Sequence, residues 1–398
     1  MIAHFRIWTA FVVVLLLQGC ATERRYPPPN LPASARLVEV SSAQPPEPAI
    51  RQVSAIDAAG RVSSAPREVL VLSGGGMYGA YPAGVLKGWA ASGRRPRFDV
   101  VTGISTGALI APFALLGPEY DATLERGYTS TTAADLYRLR LPPALLWSDS
   151  LAKAHPLRQR VRTEITPEIL QRIAQAHAEG RRLYVGTTDL DTKRLVVWDL
   201  GAIAAGNEPR KLKLFRDVLL ASCAIPGLLP PVPIDIEVDG QRRTELHVDG
   251  GVSASLFLPP SVLGQGPCDE RRPAAVGTNV YVIVAGKLKM ESKPVERRFT
   301  RVSGESLSTL LQSRTDGDLL RVYTQARRAG AEFGLTAVPD DLAVGSDWMS
   351  LDVPALKQVF EAGYQFGSGG GAWRPAPPDL EPRDQSVPRA GVRFTVAQ

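Results

Sequence analysis

Between residues 98 and 113 an apolar run, a glycine-bounded turn and a second apolar run follow one another without a break. They read Phe98-Asp99-Val100-Val101-Thr102, Gly103-Ile104-Ser105-Thr106-Gly107 and Ala108-Leu109-Ile110-Ala111-Pro112-Phe113. The first run is short and bounded, as a buried strand is, and the second opens a helix. Turning from strand to helix in five residues leaves no room for side chains at the flanking positions, and it lifts the serine between them over the sheet edge. The N-terminus of the following helix directs free N–H groups at any oxyanion forming beside that serine, with that of Thr106 among the expected donors. A Gly/Ser-rich turn without chemistry carries the same five letters, so the surroundings decide.

A second unit of the same kind precedes it. Glu68-Val69-Leu70-Val71-Leu72 is apolar throughout, as a central parallel strand is. Ser73-Gly74-Gly75-Gly76-Met77-Tyr78-Gly79 follows, then an apolar helix over about 80–91 that Gly93 stops. Gly74, Gly76 and Gly79 also match a dinucleotide fingerprint, with Asp99 at the expected spacing for the ribose-binding acid. That acid belongs at the C-terminal end of its strand, whereas Asp99 stands at the start, and no Gly-Lys-Ser/Thr follows for a phosphate loop. No nucleotide cofactor is expected. Two successive parallel strands instead place the glycine loop and the serine turn side by side at the carboxyl edge of one sheet, where open α/β folds put their sites. The backbone of Gly74, Gly75 and Gly76 can then supply oxyanion donors for Ser105.

The chain has 398 residues, 44% of them hydrophobic, enough for one large α/β domain with tails or for two small ones. Its start is a targeting segment: Arg6, the apolar stretch Ile7 to Leu17, then Leu17-Gln18-Gly19-Cys20. That stretch is too short to span a bilayer. The small residue before Cys20 resembles a bacterial lipobox, which implies a signal peptide over 1–19 and acylation of Cys20. Ala21 in the second mature position resembles the outer-membrane sorting pattern, so a lipid-anchored envelope location is expected. An ordinary secretory signal with a chance cysteine is the alternative. Residues 20–66, with Pro27-Pro28-Pro29 and Pro45-Pro46, read as a disordered tether. Net charge of +6 suits an anionic lipid surface, and no basic cluster suggests nucleic acid. Cys223 and Cys268 are expected as free thiols.

Past Gly117-Pro118 the stretch 119–155 reads as irregular, and its apolar part, Leu141 to Trp147, fits either a lipid-facing lip or buried packing. Thr166-Pro167-Glu168 caps a helix running to Gly180. Two strands flank Asp191-Thr192, a helix covers 215–222, and Asp239-Gly240 turns a hairpin whose return strand ends at Asp249-Gly250-Gly251. A buried strand over 279–285 and helices over about 305–330 and 353–366 complete a domain spanning 67–366. Residues 367–398, rich in Gly, Pro and charge, read as a disordered tail.

Ser105 needs a base. Of the four histidines only His247 lies where an acid such as Asp189 could complete a triad in the order serine, acid, histidine. His155 and His177 read as surface residues. Asp249, at a strand end before two glycines, is the other candidate; desolvation would raise its basicity. No run of His and acidic residues has ligand spacing, so no metal is expected. In order, Gly74-Gly75-Gly76 with Gly79, Gly103-Ile104-Ser105-Thr106-Gly107, Ala221-Ser222-Cys223-Ala224-Ile225-Pro226-Gly227 and Asp249-Gly250-Gly251 resemble the patatin-like phospholipases. The resemblance implies a three-layer α/β/α fold with a mostly parallel sheet and a metal-free Ser–Asp dyad that cleaves acyl esters of phospholipids or lysophospholipids. Carried over, Ser105 is the nucleophile, Asp249 the base, and the loop 74–76 the oxyanion hole. The family has Arg or Lys where this chain has Tyr78. A catalytically silent envelope scaffold is the reading that this substitution favours.

Overall fold

The computed structural model describes residues 38–40, 66–141, 148–238, 241–263, 277–289, 294–344 and 352–380. The signal segment, Cys20, Cys268, Asp239-Gly240, the apolar residues 142–147 and the chain beyond 380 lie outside them. Most of the expected tether does too.

The strands are β1 (Val38–Val40), β2 (Arg67–Leu72), β3 (Val100–Ile104), β4 (Arg138–Leu139), β5 (Ala152–Lys153) and β6 (Arg182–Asp189). They continue with β7 (Arg194–Asp199), β8 (Val232–Val238), β9 (Gln241–Asp249), β10 (Thr278–Lys287) and β11 (Glu332–Val338). The helices are α1 (Ala80–Ala91), α2 (Thr106–Leu116), α3 (Asp121–Thr129), α4 (His155–Glu164) and α5 (Pro167–Ala178). After them come α6 (Leu200–Ala205), α7 (Lys211–Ser222), α8 (Phe299–Arg328) and α9 (Val353–Gly369).

Among the described residues nine strands form one sheet in the order β1-β7-β6-β3-β2-β10-β11, with β9 beside β6 and β8 beside β9. From β6 through β3, β2 and β10 to β11 every pairing is parallel. Strands β7, β9, β8 and β1 add on antiparallel. Strand β2 shows why the fold is layered. Its side chains alternate, Leu70 and Leu72 entering one hydrophobic core, Val69 and Val71 a second. Helices α1, α2, α5 and α7 fill the first core, and Leu319, Val322 and Ala326 of α8 cover the second. The mostly parallel three-layer arrangement is the expected one.

Helices α1 and α9 meet more closely than side chains allow. A Cβ on Gly84 would lie 2.0 Å from the Phe360 carbonyl oxygen, and one on Gly88 2.1 Å from that of Tyr364. From the other side, Gly363 and Gly367 would meet the carbonyl oxygens of Tyr81 and Val85 at 2.3 and 2.4 Å. Backbone rests on backbone along a four-residue repeat on both helices.

Several elements depart from expectation. The stretch 119–155 holds α3, the small β4–β5 ribbon and the first residue of α4, so His155 begins a helix rather than ending a loop. Helix α6 and the edge strands β1 and β11 had no sequence-level counterpart; β1 lies within the stretch expected as a disordered tether yet pairs with β7, and β11 follows a helix end at Ala329-Gly330 whose strand-like run is short. Order also continues past 366. Helix α9 runs to Gly369, Arg374 pairs with Leu335 of β11, and Trp373 stacks among Trp89, Tyr281 and Phe366. Composition misled there, because one tryptophan seated in an aromatic cluster outweighs the surrounding glycines and prolines. The β8–β9 and β6–β7 hairpins and the buried strand β10 are as expected.

Candidate active site

Ser105 stands between the end of β3 and the start of α2 with φ 53° and ψ −121°, a positive φ that only Lys193 shares among the described non-glycine residues. The flanking glycines are sterically required. A Cβ on Gly103 would lie 2.4 Å from the Gly107 carbonyl oxygen, and one on Gly107 2.6 Å from that of Leu72. The elbow is thus squeezed against the end of the neighbouring strand β2. Such a backbone costs on the order of 1–3 kcal/mol and persists only where the surroundings over-determine it. Those surroundings can be named. The Ser105 N–H donates to Ser222 Oγ at 2.9 Å, the Ser222 hydroxyl donates to the Gly186 carbonyl at 2.7 Å, and the Cys223 thiol donates to the Ser105 carbonyl at 3.2 Å.

The serine hydroxyl donates to Asp249 Oδ2 at 2.6 Å, with both residues buried. Topology makes the meeting possible: Asp249 closes β9, which pairs with β6, and β6 lies beside β3. The second carboxylate oxygen, Oδ1, accepts from the Gly251 N–H at 2.7 Å, and the Asp249 N–H donates to the Ala224 carbonyl at 2.9 Å. Orientation is therefore fixed at both ends of the residue. Burial pushes the Asp249 carboxyl up to about 6, against the pull of the bonds from Ser105 and Gly251. Burial also lifts the Cys223 thiol well above its ordinary range, and the nearby Asp249 charge adds to this. Cys223 is unbridged.

The glycine loop lies against the elbow. A Cβ on Gly74 would sit 3.4 Å from that of Ser105, and one on Gly75 would sit 1.7 Å from the Ala285 carbonyl oxygen. Gly75 and Gly76 have φ of 157° and 57°. Of the expected oxyanion donors, Gly74 is already committed, its N–H donating to the Ser255 carbonyl at 2.9 Å. Gly75, Gly76 and Thr106 stand where short helices begin, the position whose N–H groups have no intrahelical acceptor.

The histidines do not join this group. His247 is fully buried, with Nδ1 2.9 Å from Thr187 Oγ1 and Nε2 3.1 Å from Glu245 Oε2. Both nitrogens are thus engaged away from the serine. His177 is half-buried, 3.8 Å from Asp199. Asp99 accepts from the Glu68 N–H at 2.8 Å at the amino end of β3, the far end of the strand from the elbow. A dinucleotide would need it at the other end.

Spacing along the chain hid one cluster. Asp189, Glu245 and His247, brought together by the β6–β9 pairing, hold their donor atoms within 4.8 Å of one another. Asp189 is spent on its own turn, accepting from the Asp191 N–H at 3.0 Å and the Thr192 hydroxyl at 2.8 Å. Sequence reading also missed Tyr128 of α3. Its hydroxyl lies 2.7 Å from Thr106 Oγ1 and donates to the Thr106 carbonyl at 3.1 Å, tying down the residue after the nucleophile. Nothing in Arg126-Gly127-Tyr128 signals that role. Ser222 lay inside a recognised motif, but its hydrogen-bonding duty was not legible.

Ser105 opens into a cleft of about 1130 Å³, counting its open mouth, walled by α2, α3, α4 and α7. Leu109, Phe113, Leu157, Val161, Leu219 and Leu228 give it an apolar lining. Among the described residues no helix is long and apolar enough to cross a membrane.

Sheet, elbow and apolar cleft together form the arrangement that an α/β acyl hydrolase requires. Residues 70–260 match the family model of the patatin-like phospholipases. The chain carries a patatin-like phospholipase domain over those residues, and with it the lipid acyl hydrolase class. No curated protein matches the chain. Among solved structures, VipD from Legionella pneumophila aligns at 11% identity and a TM-score of 0.32, over 76% of this chain and 67% of that one. The type III effector ExoU aligns at 12% and 0.31, over 76% and 52%. Human GIVD cytosolic phospholipase A2 aligns at 10% and 0.35, over 77% and 59%. The chain therefore spans roughly half to two thirds of their lengths, and at these scores the likeness carries no argument about its own chemistry.

Proposed function

We propose that the protein is a serine acyl hydrolase that cleaves ester bonds of phospholipids or lysophospholipids through Ser105 and Asp249. The observation that carries this reading is the 2.6 Å hydrogen bond to the buried Asp249 carboxylate from the hydroxyl of Ser105, which lines an apolar cleft. Asp249, its basicity raised by burial, takes the hydroxyl proton as Oγ attacks the ester carbonyl. The N–H groups of Gly75, Gly76 and Thr106 receive the developing oxyanion. Asp249 then returns the proton to the departing alcohol, leaving an acyl-enzyme, and activates the water that hydrolyses it. Tyr78 in place of a cation leaves these backbone donors untouched, so the substitution does not imply a silent scaffold.

A fluorophosphonate probe tests the nucleophile without knowledge of the substrate. It is expected to label the wild-type chain and not Ser105→Ala; equal labelling of both refutes the assignment.

The same proposal places the enzyme in a bacterial envelope, at the outer membrane, anchored by acylation of Cys20 and held off the bilayer by the chain between Cys20 and β1. Leu17-Gln18-Gly19-Cys20 after a short apolar stretch supports it. Two acyl chains suffice for stable attachment. Cys20→Ser is expected to leave the detergent phase or to stay unprocessed, and a variant that is matured and still partitions there refutes the anchor.

A further inference from the structure

We infer that the β4–β5 ribbon is a docking element for an anionic lipid bilayer, set at the mouth of the cleft so that a lipid can pass from the membrane to Ser105. The inference rests on the acyl hydrolase reading only for the fate of the lipid; the docking itself stands on the ribbon.

The ribbon is a two-stranded sheet of its own, separate from the central one. Pairs of this size are marginal in water. This one is also burdened. Arg138 stands directly opposite Lys153, both exposed, and like charges facing each other across a strand pair are destabilising. Ala152 is buried, but the leucines on and beside the ribbon face the solvent. Leu141 and Leu139, at 78% and 71% exposure, are the two most exposed large hydrophobic residues among those described, and Leu151 is 50% exposed. Arg140 completes the alternation Arg138-Leu139-Arg140-Leu141, and the exposed Asp149 offsets part of its charge from 3.8 Å.

A layer of anionic headgroups resolves both problems at once. Leucines enter the boundary between headgroups and acyl chains, while arginine and lysine stay among the phosphates. Each cation near such a surface adds attraction that falls off within a Debye length. The overall charge of +6 has the right sign.

The ribbon is joined to the cleft wall on both sides. Leu136 and Tyr137, which line the cleft, lead directly into β4. On the other side the Leu151 N–H donates to the Gly227 carbonyl and the Ala152 N–H to the Leu228 carbonyl, both at 2.8 Å. Ile225, Leu228 and Leu229 are again cleft residues. A bilayer that receives the ribbon is therefore held beside the cleft wall, where Leu136, Leu228 and Leu229 offer a departing lipid apolar contacts.

The test uses the full chain with Cys20→Ser, Cys268→Ser and Ser105→Ala, so that neither the anchor nor lipolysis contributes. A nitrobenzoxadiazole fluorophore is placed at Leu139→Cys or, as a control, at the exposed Leu310→Cys of α8. Vesicles of equal parts phosphatidylcholine and phosphatidylglycerol are expected to shift the fluorophore at 139 to the blue and leave the one at 310 unchanged. Adding Arg138→Gln and Lys153→Gln is expected to weaken the vesicle titration roughly tenfold. No shift at 139, or the same shift at 310, overturns the inference. In the catalytically intact chain, Leu139→Ser/Leu141→Ser/Leu151→Ser is expected to lower hydrolysis of vesicle lipid by about tenfold or more, with cleavage of a soluble butyrate ester kept. Retained vesicle hydrolysis overturns it. Failure of the wild type to cleave any ester strikes the catalytic proposal and leaves the fluorescence result to stand alone.

Discussion

Two regions of this molecule are built on glycines that let backbone touch backbone, and they use that closeness to opposite ends. At the α1–α9 seam, Gly84, Gly88, Gly363 and Gly367 bring two helices together along most of their length. None of these four has a positive φ, so the contact is relaxed helix against relaxed helix. At the elbow, Gly103 and Gly107 allow a turn so tight that the residue between them, a serine, is held at φ 53°. The first arrangement lowers the energy of the fold. The second spends some of it to present one hydroxyl to one carboxylate. A glycine in a sequence signals close approach, and only the conformation of its neighbours shows whether the approach serves packing or chemistry.

The sharpest way to break the contrast is at the carboxylate. Asp249→Asn keeps one oxygen, which can still accept from the Gly251 N–H, but sets an amide NH2 opposite Ser105 that cannot take a proton, so turnover is expected to fall by about 10²–10⁴-fold or more. In the wild type the rate should rise with pH through about 6, as Asp249 ionises. The linkage has the opposite sign for stability. A carboxyl whose folded value lies above its unfolded one binds more protons when folded, so stability falls as pH rises from about 4 to about 6. Above that range the buried charge costs on the order of 1–3 kcal/mol, and Asp249→Asn should melt higher than wild type at pH 8 though not at pH 4. A thermal melt at the two pH values checks it, and an inactive but unstabilised variant would mean that the charge is compensated.

Next in size is the seam. Gly363→Val would drive a branched side chain toward the Tyr81 carbonyl oxygen, which lies 2.3 Å from the Cβ position. A loss of roughly 3 kcal/mol or more is expected, combining overpacking with forced separation of the helices. Chemical denaturation measures it. Turnover per folded molecule should stay near wild type, because the seam touches no group in the cleft that reacts.

A smaller effect isolates the strain. Ser105→Ala and Ser105→Gly both remove the hydroxyl, and both leave Asp249 without its partner, so those losses cancel in the comparison. Glycine accepts the positive φ and alanine does not. Ser105→Gly is expected to be more stable than Ser105→Ala by about 1 kcal/mol, the reverse of the usual order. Equal midpoints would show the elbow to be unstrained.

Among the candidate catalytic groups, the smallest expected change in rate comes from His247→Gln. Glutamine can still bond Thr187 or Glu245, and turnover should fall less than tenfold while the melting temperature drops. A folded His247→Gln enzyme as inactive as Ser105→Ala would end the dyad proposal in favour of a histidine base.

The sequence alone determined the strand–glycine–helix units. Period and composition are local properties, and the bend at Gly103 to Gly107 follows from sterics within five residues. The buried parallel strands, the capped helix after Thr166 and the position of Ser105 were legible for that reason, and so was Asp249 as a strand-end carboxylate. Tertiary structure alone decided between Asp249 and His247. The two lie two residues apart on one strand, and only the pairing of β9 with β6 sends one to Ser105 and the other to Thr187 and Glu245. It also decided that the Gly74 N–H is taken by Ser255, that Ser222 and Tyr128 brace the elbow, and that Trp373 draws the apparent tail into the core. Each of these contacts joins residues from 22 to more than 280 positions apart. Side-chain chemistry can be read along a chain, but which group meets which is set by the order in which strands pair, and that order minimises exposed apolar surface over the whole domain at once.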